Sequence, residues 1–172
     1  MENSRFPRAP AHLQQKPVQV LLRGGQTLEG EVHIPEGLPL LNFLGSKRFF
    51  LNLTSVRRPN RGEGSDVVEH LSLRMSNLVW VIPLDGTLHL SAASAPVHSE
   101  RAVELQLVDG LELTVKLNIS KEQRMSDFLD ANSGFVPLFS AQIESTSKVI
   151  DRLAVNHEAI LAIRELSSEQ RV

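Results

Sequence analysis

The sequence predicts a mainly β protein: two tandem small β-barrel-like repeats, each with one short helical turn, packed together. Three observations predict this. The chain aligns with itself without a gap, apolar residues alternate with period two, and glycine-containing turns separate the alternating runs. Val18–Val56 written above Val103–Ala141 keeps a constant offset over 39 positions, with ten identities: Val18/Val103, Leu22/Leu107, Gly25/Gly110, Leu28/Leu113, Ile34/Ile119, Phe43/Phe128, Leu44/Leu129, Phe50/Phe135, Leu53/Leu138 and Ser55/Ser140. Beyond this block, Leu73–Ser76 aligns with Leu153–Asn156, and after a one-residue slip Leu78–Ile82 aligns with Ala159–Ile163. A repeat of roughly 70–80 residues is marginal alone, so the two are expected to pack on each other, with Phe50 and Phe135 at equivalent buried positions.

The elements follow in order. Residues 1–16, with two arginines and little periodicity, are expected to form a flexible N-terminal tail. The first repeat covers 17–91 and the second 102–166. Val18, Val20 and Leu22, like Val103, Leu105 and Leu107, alternate as a half-buried strand does. Arg23-Gly24-Gly25 and Asp109-Gly110 supply the turn, since glycine accepts positive φ. Return strands run through Leu28, Val32 and Ile34, and through Leu113, Val115, Leu117 and Ile119. A helical turn then follows at Arg124–Leu129, with Ser126 or Asp127 as its N-cap and Asn42 opposite Asp127 in the first repeat. Third strands span Phe50–Val56 and Phe135–Ile143. The C-terminal segment could be helical by its own spacing. Its β-branched, Pro-terminated counterpart Leu78–Pro83 argues for strands instead, at Arg152–Val155 and Ala159–Leu166 around an Asn156-His157-Glu158 turn. Asp85-Gly86 suggests a further hairpin, with a strand at Thr87–Leu90. Residues 57–66 read as an exposed loop, 92–101 as the linker between repeats and 167–172 as a frayed C-terminal tail.

Composition narrows the function classes. Of 172 residues, 41% are apolar and 22% charged, with a net charge of −2. Such a balance gives no field of one sign to recruit nucleic acid or an acidic membrane. There is no cysteine, so disulfides, thiolate metal sites and cysteine nucleophiles are excluded, in keeping with a reducing cytoplasm. The N-terminus has no apolar core of a secretory signal, and no run approaches the ~18 apolar residues of a membrane span. A cytoplasmic location and no membrane partner are expected.

The pattern Val103-x-Leu105-x-x-x-Asp109-Gly110, then Arg124–Leu129, then Phe135-x-x-Leu138, then Leu153–Asn156, resembles an uncharacterised bacterial domain family of unknown function. The first repeat departs from it at Pro39–Leu44, where the arginine and serine are missing. The strand–glycine–strand opening and the closing pair of strands also resemble Sm-like and SH3-like small barrels, a likeness of fold that carries no function.

No motif supports catalysis, a cofactor or a metal. His12, His33, His70, His89, His98 and His157 form no metal-spaced pair. No serine lies in a Gly-x-Ser-x-Gly elbow, and Gly24-Gly25 lacks the helix and lysine of a phosphate loop. The carboxylate pairs Asp127/Asp130 and Glu29/Glu31 read as a helix cap and a solvated strand face. Arg57, Arg58 and Arg61 form the compact basic cluster. Arg57-x-x-x-Arg61 resembles the cyclic-dinucleotide signature of PilZ-like barrels, without the Asp/Asn-x-Ser-x-x-Gly element those proteins also use. Arginine clamps phosphate bidentately, but a solvated loop is the simpler reading. Strand alternation points Phe49 away from the core, while Trp80 is expected inside it. Phe49, Trp80, Arg57, Arg58 and Arg61 are therefore the candidate interaction residues. The expected function is a non-enzymatic protein–protein interaction or scaffold module that pairs with another protein or with itself. The alternatives are a PilZ-like ligand sensor and, behind it, an Sm-like RNA binder.

Overall fold

The computed structural model describes residues 12–59, 67–88, 98–120, 122–131 and 134–166. The protein is mainly β. Its first half contains β1 (Leu13–Leu22), β2 (Thr27–Pro35), α1 (Leu40–Leu44), β3 (Phe50–Arg57), β4 (Val68–Arg74) and β5 (Leu78–Pro83). Its second half contains β6 (His98–Leu107), β7 (Glu112–Ser120), α2 (Met125–Ala131), β8 (Phe135–Ile143), β9 (Lys148–Asn156) and β10 (Ile160–Glu165). Single 3-10 turns, Met75–Asn77 and His157–Ala159, link the last two strands of each half. The C-terminal segment is thus two strands and not a helix.

All ten strands among the described residues lie in one antiparallel sheet, in the order β10-β6-β7-β8-β9-β5-β1-β2-β3-β4. Both halves have the same internal order, with the fifth strand beside the first and the fourth at the far side. The duplication extends to irregular backbone. Gly24 and Gly25 have φ of 84° and 81°, and their twins Asp109 and Gly110 have 60° and 70°. Ser55 and Ser140 both take positive φ, at 52° and 49°, and both are skipped in the pairing of the third strand with the fourth. Across Ser55 the β2–β3 register also shifts by one residue, the mark of a bulge. A bulge shared by both repeats leaves Val79 and Leu161 out of the ladders to β1 and β6.

Two separate closed barrels do not form. The reason lies in β5, which pairs with β1 on one side and with β9 on the other. Both its edges are occupied, so it is not free to close on β4 of its own repeat, and the sheet runs on into the second repeat. Strand β5 is buried on both faces. Leu78 and Val81 enter the first core cluster, whereas Val79 and Trp80 enter the second. This explains its unbroken apolar sequence.

The alignment needs one correction. Arg74 faces Phe50, and Asn156 faces Phe135, so the offset drops from 85 to 82 beyond the third strand. Leu153 is therefore the twin of Leu71, not Leu73, and the twin of Trp80 is Ala162, not Leu161. An error of two residues keeps every side chain on its face and is invisible to period-two patterning. In β5 even a one-residue error is invisible, because both faces are apolar.

Other boundaries shift as well. Strand β1 begins at Leu13, inside the segment expected as tail, and β6 begins at His98, inside the expected linker. Helix α1 starts at Leu40 after Pro39, which leaves Asn42 within it. Ser126 and Asp127 lie inside the first turn of α2, where an acidic side chain favours the helix dipole instead of capping it. Thr87 and Leu88 are not in a strand, and His89 and Leu90 lie outside the described residues.

Candidate interaction surface: one filled strand joint and two open sheet edges

The joint between the repeats is built from β5 and β9, which pair Trp80 with Val155 and Val81 with Ala154. All four side chains are buried. Asn156 is the buried polar residue among those described. Its amide nitrogen donates to the Met75 carbonyl at 3.0 Å and the Leu78 carbonyl at 2.9 Å, and its oxygen accepts from the Glu158 N–H at 3.0 Å. One side chain thus satisfies backbone groups of both repeats, as a buried amide must. Arg23 donates to the Ser76 carbonyl at 2.8 Å and, across the joint, to the Glu158 carbonyl at 2.9 Å. The two hairpin turns also meet, with the Gly24 N–H donating to the Asp109 carboxylate at 2.7 Å.

Phe135 completes the joint. It belongs to the second repeat but is buried in the core cluster of the first, with Leu78, Val81 and Leu44. Gly134 beside it has a φ of +102°, and a Cβ there would sit 3.3 Å from the Gly45 Cα. The close approach of α1 therefore selects glycine at this position.

Among the described residues the sheet ends in β4 on one side and β10 on the other, and the twins of the joint residues stand exposed there. Phe50 is 52% exposed, against 5% for Phe135. This overturns the expectation of two equivalent buried phenylalanines: the positions are equivalent, but only Phe135 has a neighbouring repeat to cover it. Leu161 is 68% exposed on β10, while its twin Val79 is fully buried in β5. Val67, Val68 and Phe49 are further exposed apolar side chains at the β3–β4 end.

The sequence candidates divide accordingly. Phe49 is 80% exposed and sits next to the open edge. Trp80 is buried in the joint itself. Arg57 pairs with Glu29 at 3.0 Å. Arg58 lies against Gln26, whose amide oxygen, in the orientation that suits both groups, accepts from Nε at 3.1 Å. Arg61 lies outside the described residues. Sequence reasoning missed Phe50, Leu161 and Asn156 as joint or edge residues. The usable signal was the divergence of the repeats there: Leu-Val-Trp-Val-Ile-Pro in β5 against Ile-Leu-Ala-Ile-Arg-Glu in β10.

Several other polar contacts join neighbouring strands, such as Gln19 with Glu29, Ser72 with Asn52 and Arg164 with Glu104. His33 Nε2 and the Thr54 hydroxyl are 2.9 Å apart. Burial works to raise the Asp85 pKa, but the Lys16 ammonium at 2.9 Å and hydrogen bonds from Thr87 outweigh it and hold the carboxyl below its ordinary value. Among the described residues, no helix is long and apolar enough to cross a membrane, and no group of three or more acidic or histidine side chains is placed to hold a metal. No family model, no curated protein and no solved structure matches the chain.

Proposed function

We propose that the chain is a non-enzymatic protein–protein interaction or scaffold module of a bacterial cytoplasmic system, and that it works through the two open edges of its sheet. The observation that carries this reading is the contrast between twins: Phe50 and Leu161 are exposed at the sheet ends, whereas Phe135 and Val79 are buried in the joint. An unpaired strand edge offers a row of N–H and C=O groups, and apolar side chains beside it add affinity. The strand order of each repeat, with a 3-10 turn between its fourth and fifth strands, also supports reading each as an Sm-like or SH3-like small-barrel unit that opens to join its neighbour.

A photo-crosslinking amino acid placed at Phe50 or at Leu161, in cells that make the protein, tests the reading. Both positions are expected to give discrete protein adducts, and the exposed position Glu122 is not. Edge positions that crosslink no more than Glu122 contradict it.

A further inference from the structure

We infer that the occupant of these edges is a second copy of the chain, whose β10 adds to the β4 of the first in the geometry of the β5–β9 joint. This rests on reading the edges as interaction surfaces and goes further by naming what fills them. The internal joint is heterologous: it unites the fifth strand of one repeat with the fourth strand of the other. Two repeats in one chain use one such joint and leave over one fourth strand, β4, and one fifth strand, β10. The two leftovers are the two kinds of strand that the joint unites. Continuing the established interface is thus the arrangement this backbone already supports once.

The side chains follow the same logic. Applying the register Trp80↔Val155 and Val81↔Ala154 to the twins pairs Ala162 with Leu73 and Ile163 with Ser72. The same register brings Glu165 opposite His70, so no like charges meet directly. Phe50 is a plug of the same kind as Phe135. Its socket would be formed by Ile160, Ile163 and Leu129, the twins of Leu78, Val81 and Leu44. Those three are only partly buried at the margin of the second core, whereas the socket that holds Phe135 is fully covered. Arg74 stands where the joint has Asn156 and keeps its donor role, since a guanidinium can give N–H groups to the twin carbonyls of His157 and Ile160. One corner is reshaped and not copied, because Phe49 replaces Gly134 and Asp130 replaces Gly45.

A heterologous contact cannot close on itself as a two-fold dimer. It propagates until the rotation between repeats closes a ring, or it continues as a filament.

Light scattering coupled to size-exclusion chromatography on the full chain, over a dilution series, tests this. The expected result is a species of several copies, heavier than the 19.1 kDa of one chain, that dissociates on dilution. Phe50→Asp spoils only the β4 edge and Leu161→Asp only the β10 edge. Each variant alone is expected to associate roughly tenfold or more weakly, as loss of a central apolar anchor does. Mixed in equal amounts, the two are expected to form a one-to-one dimer through the remaining good pair of edges and to stop there. The Phe50→Asp/Leu161→Asp double variant should enter no complex. Unchanged circular dichroism is expected for all three, because both positions are exposed. A chain that stays monomeric at every concentration, or a mixture that forms no dimer, overturns the proposal. If the chain is monomeric while Phe50 and Leu161 crosslink to a different protein in cells, self-association fails and the edge reading stands.

Discussion

Phe135→Ala is expected to destabilise the fold by about 3–5 kcal/mol, the cost of removing a buried phenylalanine. Phe50→Ala is expected to cost less than ~1 kcal/mol in the dilute chain, as surface changes do. The two residues are identical in type, in repeat position and in strand register, since each opens its third strand opposite the end of a fourth. They differ only in cover, because Phe135 fills the core cluster of the neighbouring repeat and Phe50 meets solvent. Urea denaturation at low protein concentration measures both. As association raises the stability of the assembled form by mass action, the Phe50→Ala deficit should grow with protein concentration and the Phe135→Ala deficit should not. Equal costs in the dilute chain would contradict this account of the joint.

The second large effect is expected at Asn156. Truncation to alanine removes the side-chain partner of the Leu78 carbonyl across the joint and of the Glu158 N–H, and leaves the Met75 carbonyl with the Leu78 N–H of its own 3-10 turn. Each buried orphan costs roughly 1–3 kcal/mol, partly relieved by water, so a loss of about 2–4 kcal/mol is expected. Asn156→Asp is expected to be worse at neutral pH, because it turns a carboxylate toward two carbonyl oxygens. Its folded-state pKa would be raised above the unfolded value. Stability relative to wild type is then best below the unfolded pKa and falls as pH rises through the folded pKa. Thermal melts of both variants at acidic and neutral pH check the sign: Asn156→Asp should recover toward low pH, and Asn156→Ala should show no such trend. If aspartate proves the milder change at neutral pH, the amide is not the donor that pins the joint.

The first three strands of each repeat were legible because one face is buried and the other wet. Val18, Val20, Leu28, Val32 and Ile34 write that alternation into the sequence, and the paired glycines and Asp109-Gly110 mark the turns. Strands four and five were harder to place. In β5 the alternation is erased by burial on both faces, and in β4 the set Val68, Leu71, Leu73 leaves the register open by two residues. The open sheet could not be read from one repeat, because whether β5 closes on β4 or joins β9 depends on a contact between distant segments. Trp80 was rightly placed in the core by its type, but its role in the joint depends on that same contact. Phe50 shows the limit most clearly. Conserved character within the duplication predicted equal burial, and the difference arises only because two repeats have one joint and two ends.

Amide hydrogen exchange resolved by residue tests the central claim most directly. With one continuous sheet, Trp80, Val81, Ala154 and Val155 lie in its middle, and their amides should exchange only on global unfolding, at a single free energy shared by both repeats. Rapid exchange at β5 and β9, or two separate unfolding free energies for residues 13–83 and 98–165, would show that the repeats stand apart and that the joint does not exist.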